Sequence, residues 1–139
     1  MENLYVPKTI ITPAIIFNTN GKLFIWGRSF QVFDGENTVD YYTSLRERMN
    51  VYCLDPAARL EIFFGIEIIT GMEQRNLLEI LRKAIMLQEK NFSVIINWYY
   101  EHDDTDMKEK GEGWSEQLDF SFNLIEIESI EAYFGSIVN

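Results

Sequence analysis

RLEIFFGIEIIT (Arg59 to Thr70), followed at once by GMEQRNLLEILRKAIMLQE (Gly71 to Glu89), is the stretch that decides the fold. Its first part is apolar almost throughout and rich in Ile and Phe. That is the pattern of a strand buried on both faces, and therefore central in its sheet. Gly65 interrupts the run and predicts a bulge. In the second part Leu77, Leu78, Leu81, Ala84 and Ile85 recur at helical spacing, which predicts a one-sided helix from Glu73 to about Glu89. The junction Thr70-Gly71-Met72-Glu73 has the spacing of a capping box. In that arrangement the threonine hydroxyl accepts from the Glu73 amide, and the Glu73 carboxylate bonds back to the Thr70 amide.

Working outward toward the N-terminus, Ile10 to Phe17 is a β-branched run broken by Pro13, an edge-strand signal. Asn18-Thr19-Asn20-Gly21 supplies a tight reversal, and Lys22 to Arg28 completes a hairpin. Ser29 to Glu36 reads as a connector turning at Asp34-Gly35. Asn37 or Thr38 is the expected cap of a helix running to about Leu54, with Val39, Tyr42, Leu45, Met49 and Tyr52 as its stripe. Asp55-Pro56 stops it.

Toward the C-terminus, Phe92 to Tyr100 reads as a strand, Glu101 to Glu112 as a solvated acidic loop, and Asp119 to Glu128 as the last strand. Residues 1–128 form the expected domain. Residues 129–139 form a C-terminal extension, expected to make a short helix on Ile130, Tyr133, Phe134 and Ile137. The order β-β-α-β-α-β-loop-β(-α) predicts a single-domain α/β fold, a mixed β-sheet with helices packed against it. The crossover between the two inner strands is expected to be right-handed.

A chain of 139 residues suits one hydrophobic core. Its formal charge is -10, from 22 acids against 12 bases, and the bases are scattered. Such a surface repels a phosphate backbone and an anionic membrane, so neither nucleic acid nor membrane is an expected partner. Cys53 is the only cysteine and lies among apolar neighbours, which predicts a small buried residue in a reducing compartment. The first residues lack the basic-then-apolar pattern of a signal peptide, and the cytoplasm is the expected location.

Catalytic equipment is sparse. A calcium loop starting at Asp104 would need glycine and glutamate where Glu109 and Ser115 stand. His102 is the only histidine, which removes zinc sites that need several imidazoles. No Gly-x-Ser-x-Gly turn, P-loop or dinucleotide fingerprint occurs. No metal, cofactor or catalytic residue is therefore expected, and the chain reads as a binding protein rather than an enzyme. A separate reading makes it a small-ligand protein, with His102, Asp103 or Asp104 in a pocket near Trp98. The Thr70 junction is the better candidate, because the end of a central strand is where ligands and regulators reach an α/β sheet. There Thr70, Gly71, Met72 and Glu73 form the expected partner surface. A phosphate on Thr70 would meet helix N–H groups but also Glu73.

Three pieces of sequence carry a family resemblance. They are Thr12-Pro13-Ala14-Ile15; Gly21-x-Leu23-x-Ile25-x-Gly27-Arg28-Ser29; and Trp98-Tyr99-Tyr100 followed by Asp104-x-Asp106-Met107 and Gly111-Glu112. Together they resemble the SiaC family of bacterial regulatory phosphoproteins, from about Val6 to Ile127. The family's Pro-Glu-Asn stretch corresponds to Glu36-Asn37, displaced here by an insertion. The resemblance implies a switch protein that binds a GGDEF diguanylate cyclase, with a Ser/Thr kinase and a PP2C-type phosphatase acting on it. It also implies a STAS-like topology, by fold-level analogy. In the family a threonine at the end of the central strand takes the phosphate. Aligning Leu77 to Leu81 without gaps puts Gly71 in that slot, and Thr70 fills it with a one-residue shift. A constitutive adaptor without the phosphoswitch is the alternative.

Overall fold

The computed structural model describes residues 2–137. Two strands, β2 (Ala14–Asn18) and β3 (Lys22–Ser29), make the expected hairpin around Gly21, which sits at φ 95°. Pairing begins only at Ala14, because Thr9–Thr12 closes on itself: Thr9 N donates to Thr12 O and Thr12 N to Thr9 Oγ1, both at 2.9 Å. A short strand, β1 (Leu4–Val6), lies antiparallel outside β2; three residues are too few for periodicity to reveal.

The stretch Arg59–Ile69 is strand β6, and it is central as expected, parallel to β3 on one side and to β7 (Ser93–Glu101) on the other. With β8 (Asn123–Ile127) parallel at the far side, the sheet order is β1-β2-β3-β6-β7-β8. The bulge is not at Gly65. Gly27 faces Ile66 and Arg28 faces Ile68, so the extra residue is Glu67. Gly65 serves a different need: a Cβ there would lie 2.2 Å from the Phe134 ring.

Three other expectations are corrected. Asn37–Val39 is not a helix start but strand β5, paired with β4 (Val32–Asp34) around Gly35 at φ 64°. Helix α1 spans Thr43–Tyr52, so Tyr42, Leu45, Met49 and Tyr52 are buried as expected, whereas Val39 is exposed on the small hairpin. Cys53, at its C-cap, is half-buried rather than fully buried. The acidic stretch is not a loop throughout, because Thr105–Gln117 is helix α3. Asp104 is its N-cap, accepting from Met107 N at 3.1 Å, and Met107, Gly111 and Trp114 form its buried stripe.

Helix α2 covers Glu73–Ile85 and tightens into a 3₁₀ turn, Met86–Lys90, that Asn91 ends in a left-handed conformation. α1, α2 and α3 share one face of the sheet, where their stripes join Ile25, Ile62, Phe64 and Trp98 in the main core. Helix α4 (Ile130–Ile137) takes the opposite face and buries Ile130 and Phe134 against Ala14, Trp26 and Tyr99. Tyr133 is partly buried and Ile137 exposed; the expected extension's last two residues lie outside the described ones. No helix among the described residues is long and apolar enough to cross a membrane.

β6 and β7 part company at their carboxyl ends. Their pairing stops at Phe64 and Trp98, while β3 follows β6 to Ile69 and β8 follows β7 to Glu101. The crevice so opened is lined by Glu67, Ile68 and Ile69 of β6, by Asp106 and Lys110 of α3 and by its N-cap Asp104. Thr70 is the next residue along the chain after Ile69.

Candidate functional site

Thr70 leaves the sheet with its amide still donating to Ser29 O at 3.0 Å. Gly71 then turns the chain at φ 59°, and Met72, a residue 47% exposed, precedes α2. The expected capping box does not form. Glu73 N donates to the backbone oxygen of Thr70 at 3.3 Å, and no side chain caps the helix. The Thr70 hydroxyl is turned instead toward the segment after β3, where it accepts from Gln31 N at 3.1 Å. The backbone reversal at Gly71 puts the Thr70 oxygen, not its hydroxyl, under the helix.

Gln31 is the residue that sequence reasoning missed, having been absorbed into a connector. Besides its amide bond to Thr70, its Oε1 accepts from Met72 N at 3.2 Å and its Nε2 reaches Glu73 Oε1 at 3.5 Å. It therefore touches three of the four residues expected at the partner surface, and it crowds the fourth. A Cβ at position 71 would lie 2.8 Å from Gln31 Oε1, in addition to the strain of the positive φ. The one sequence signal was position: Gln31 stands two residues after the Gly27-Arg28-Ser29 motif.

Glu73 is fully buried, and its Oε2 has no hydrogen-bond partner among the described residues. Burial, and then the nearby Asp40 charge, push its carboxyl up to about 7. Asp40 is itself well held: its Oδ1 accepts from Tyr42 N at 3.0 Å and from Asn76 Nδ2 at 3.1 Å, and its Oδ2 pairs with Arg46. Arg46 also lies 3.8 Å from Glu79. The cation in this neighbourhood is thus committed to Asp40, and Glu73 is left with one long contact.

The family-motif residues fall into two groups. Those of the N-terminal segment lie on β3 or just before β2, and Ser29 among them holds the Thr70 amide. Ser29 Oγ and Tyr42 OH share a buried 2.7 Å bond, and burial raises the Tyr42 phenol well above its ordinary value. Tyr41 OH donates to Pro13 O at 2.7 Å, and Thr12 is buried beside Thr9. Arg28 pairs with the bulge residue Glu67 at 3.4 Å, and Gly27, at φ 123°, lies against Lys8. The second group secures α3. Trp98 Nε1 donates to Met107 O at 2.9 Å, and a Cβ at Gly111 would lie 2.5 Å from that same nitrogen. Tyr100 is buried in the main core, while Asp106 and Glu112 point to solvent. Glu36 and Asn37 form the exposed tip of the β4–β5 hairpin.

His102 lies on the surface, 3.1 Å from Glu126, in an open groove with Glu101, Asp103, Asp104 and Glu128. Its hydrogen bond to Glu126 and the surrounding carboxylates raise its pKa. Among the described residues no three His, Cys, Asp or Glu side chains are grouped to hold a metal ion.

The model of the SiaC family regulatory phosphoprotein matches residues 6–127. A chain in the crystal structure of the diguanylate cyclase SiaD in complex with its activator SiaC, from Pseudomonas aeruginosa, superposes with a TM-score of 0.77 at 20% identity. That alignment covers 89% of this chain and 99% of that one. Apo-SiaC from the same organism gives 0.68 at 22% identity, over 93% of this chain and 100% of its own. At such identities the structures establish a shared fold. No curated protein sequence matches the chain.

Proposed function

This chain belongs to the SiaC family of regulatory phosphoproteins, and from that premise we propose that it acts by binding a protein partner through the Thr70–Glu73 turn. It catalyses no reaction, and phosphate on Thr70 decides whether the partner is held. The supporting observation is the turn itself: a half-buried hydroxyl, a glycine in a left-handed conformation and an exposed Met72 follow one another at the end of the central strand. A phosphate there brings roughly −1.5 to −2 charge at pH 7. It would stand beside Glu73 and displace the Gln31 amide, so the surface offered to a partner changes in both charge and shape.

SiaC in the related complex is the activator of a diguanylate cyclase. By that likeness the partner is a GGDEF cyclase, and a Ser/Thr kinase and a PP2C-type phosphatase set the state of Thr70 in the cytoplasm. Titration calorimetry with a cyclase encoded in the same genome tests this reading. The expected result is binding by the wild type and at least a tenfold loss in Thr70→Glu, about 1.4 kcal/mol. Equal binding by both would remove the switch and favour the constitutive adaptor. That second reading has its own support, since the Thr70 hydroxyl is already engaged by Gln31.

A further inference from the structure

The Thr70 hydroxyl is not a free group. Gln31 lies across it, and Gln31 is held in turn by the Met72 amide and the Glu73 carboxyl. Of these holds the one to Glu73 is the weakest, at 3.5 Å, to a carboxyl whose other oxygen has no partner and which is sealed from solvent. A neutral carboxyl tolerates such a place. A carboxylate with one long donor does not, and must find water or new donors.

We propose that Glu73 is a proton-operated latch on Gln31. Protonated, it keeps the segment after β3 closed over Thr70; ionised, it leaves its buried site and frees the hydroxyl. The groups around it all favour this behaviour. From the segment before α1, Asp40 repels a Glu73 charge, and Arg46 of α1 is engaged by Asp40 instead of neutralising Glu73. Tyr41 and Tyr42 have their hydroxyls occupied by Pro13 and Ser29. On the α3 side, Lys110 donates to Gln74 at 2.9 Å. Among the described residues no cation pairs with Glu73. The consequence for modification rests on Thr70 being the phosphoacceptor: addition of phosphate is favoured when the latch is open, and removal of the Glu73 charge favours closure.

Amide exchange of the intact chain, followed by NMR on either side of neutral pH, reads the latch without kinase or partner. Exchange of the Gln31 amide is compared with its unstructured rate at each pH, alongside the Glu73 carboxyl resonance. The expected result is that Gln31 protection falls at least tenfold in one step that tracks the Glu73 titration. Glu73→Gln is expected to stay protected throughout. Protection independent of pH in the wild type, or a Glu73 carboxyl titrating like a surface glutamate, overturns the latch. Those two wild-type measurements decide the matter even where Glu73→Gln does not fold. Absence of phosphate on Thr70 would remove the phosphoacceptor reading and leave the latch standing. A missing latch on a phosphorylated Thr70 would do the reverse.

Discussion

Two regions of this molecule carry the motif residues, and their hydrogen-bond accounts differ. Around Trp98 every polar group in view is satisfied: the indole N–H meets Met107 O, Asp104 caps α3, and Gly111 lets the helix rest directly on the ring. Phe64, Trp114 and Phe122 pack around that ring with centroids 4.6 to 6.0 Å away. Around Thr70 a buried carboxyl oxygen is unpartnered among the described residues, a glycine is in a left-handed conformation and a methionine faces solvent. Motif residues in the first region hold the fold together. In the second, stability has been left incomplete, and that incompleteness is what the proposed partner and phosphate would act on.

Three substitutions break or sharpen this contrast. The largest effect is expected from Trp98→Ala, which empties the centre of the satisfied region and should cost about 3–5 kcal/mol in denaturant unfolding. A loss below that range would mean the indole is less central than its packing suggests. Next comes Glu73→Gln. The folded carboxyl titrates at about 7 against an ordinary 4.5, so wild-type stability from this group is full below 4.5 and falls as pH rises to about 7. Relative to wild type, the Gln variant should therefore gain up to about 3 kcal/mol between acid and mildly alkaline pH. A pH-independent difference would show that Glu73 ionises freely in the fold. The smallest stability effect is expected from Met72→Ser, within about 0.5 kcal/mol, because the side chain is exposed. The same change should weaken partner binding by about tenfold if Met72 is a contact.

The central strand and its following helix were legible because long apolar runs of period two or 3.6 leave little choice. The hairpin at Gly21 was legible through its turn residues. α3 was hidden: its stripe of Met107, Gly111 and Trp114 has a glycine in the middle, and a second glycine at 113 further lowers helix propensity. Packing on Trp98 overrides that propensity, and a single chain gives no sign of it. β4 and β5 are three residues each, and their pairing overrode a helical stripe whose first member in the sequence is Val39. The candidate site was legible as a strand-helix junction, but its chemistry was not. Thr-x-x-Glu spacing fits a capping box equally well whether or not Gln31 takes the hydroxyl, and Gln31 comes from 39 positions away.

Gly65 and Phe134 meet so closely that neither can be understood alone. The ring occupies the space a side chain at 65 would need, and residue 134 lies beyond the span 6–127 that matches the family model. The two positions should therefore be inherited as a pair. Relatives ending soon after β8 are free to carry a larger residue in the middle of the central strand. Those with a C-terminal helix like α4 should retain the glycine, so that the absence of a side chain in one strand records the presence of a helix 65 residues later.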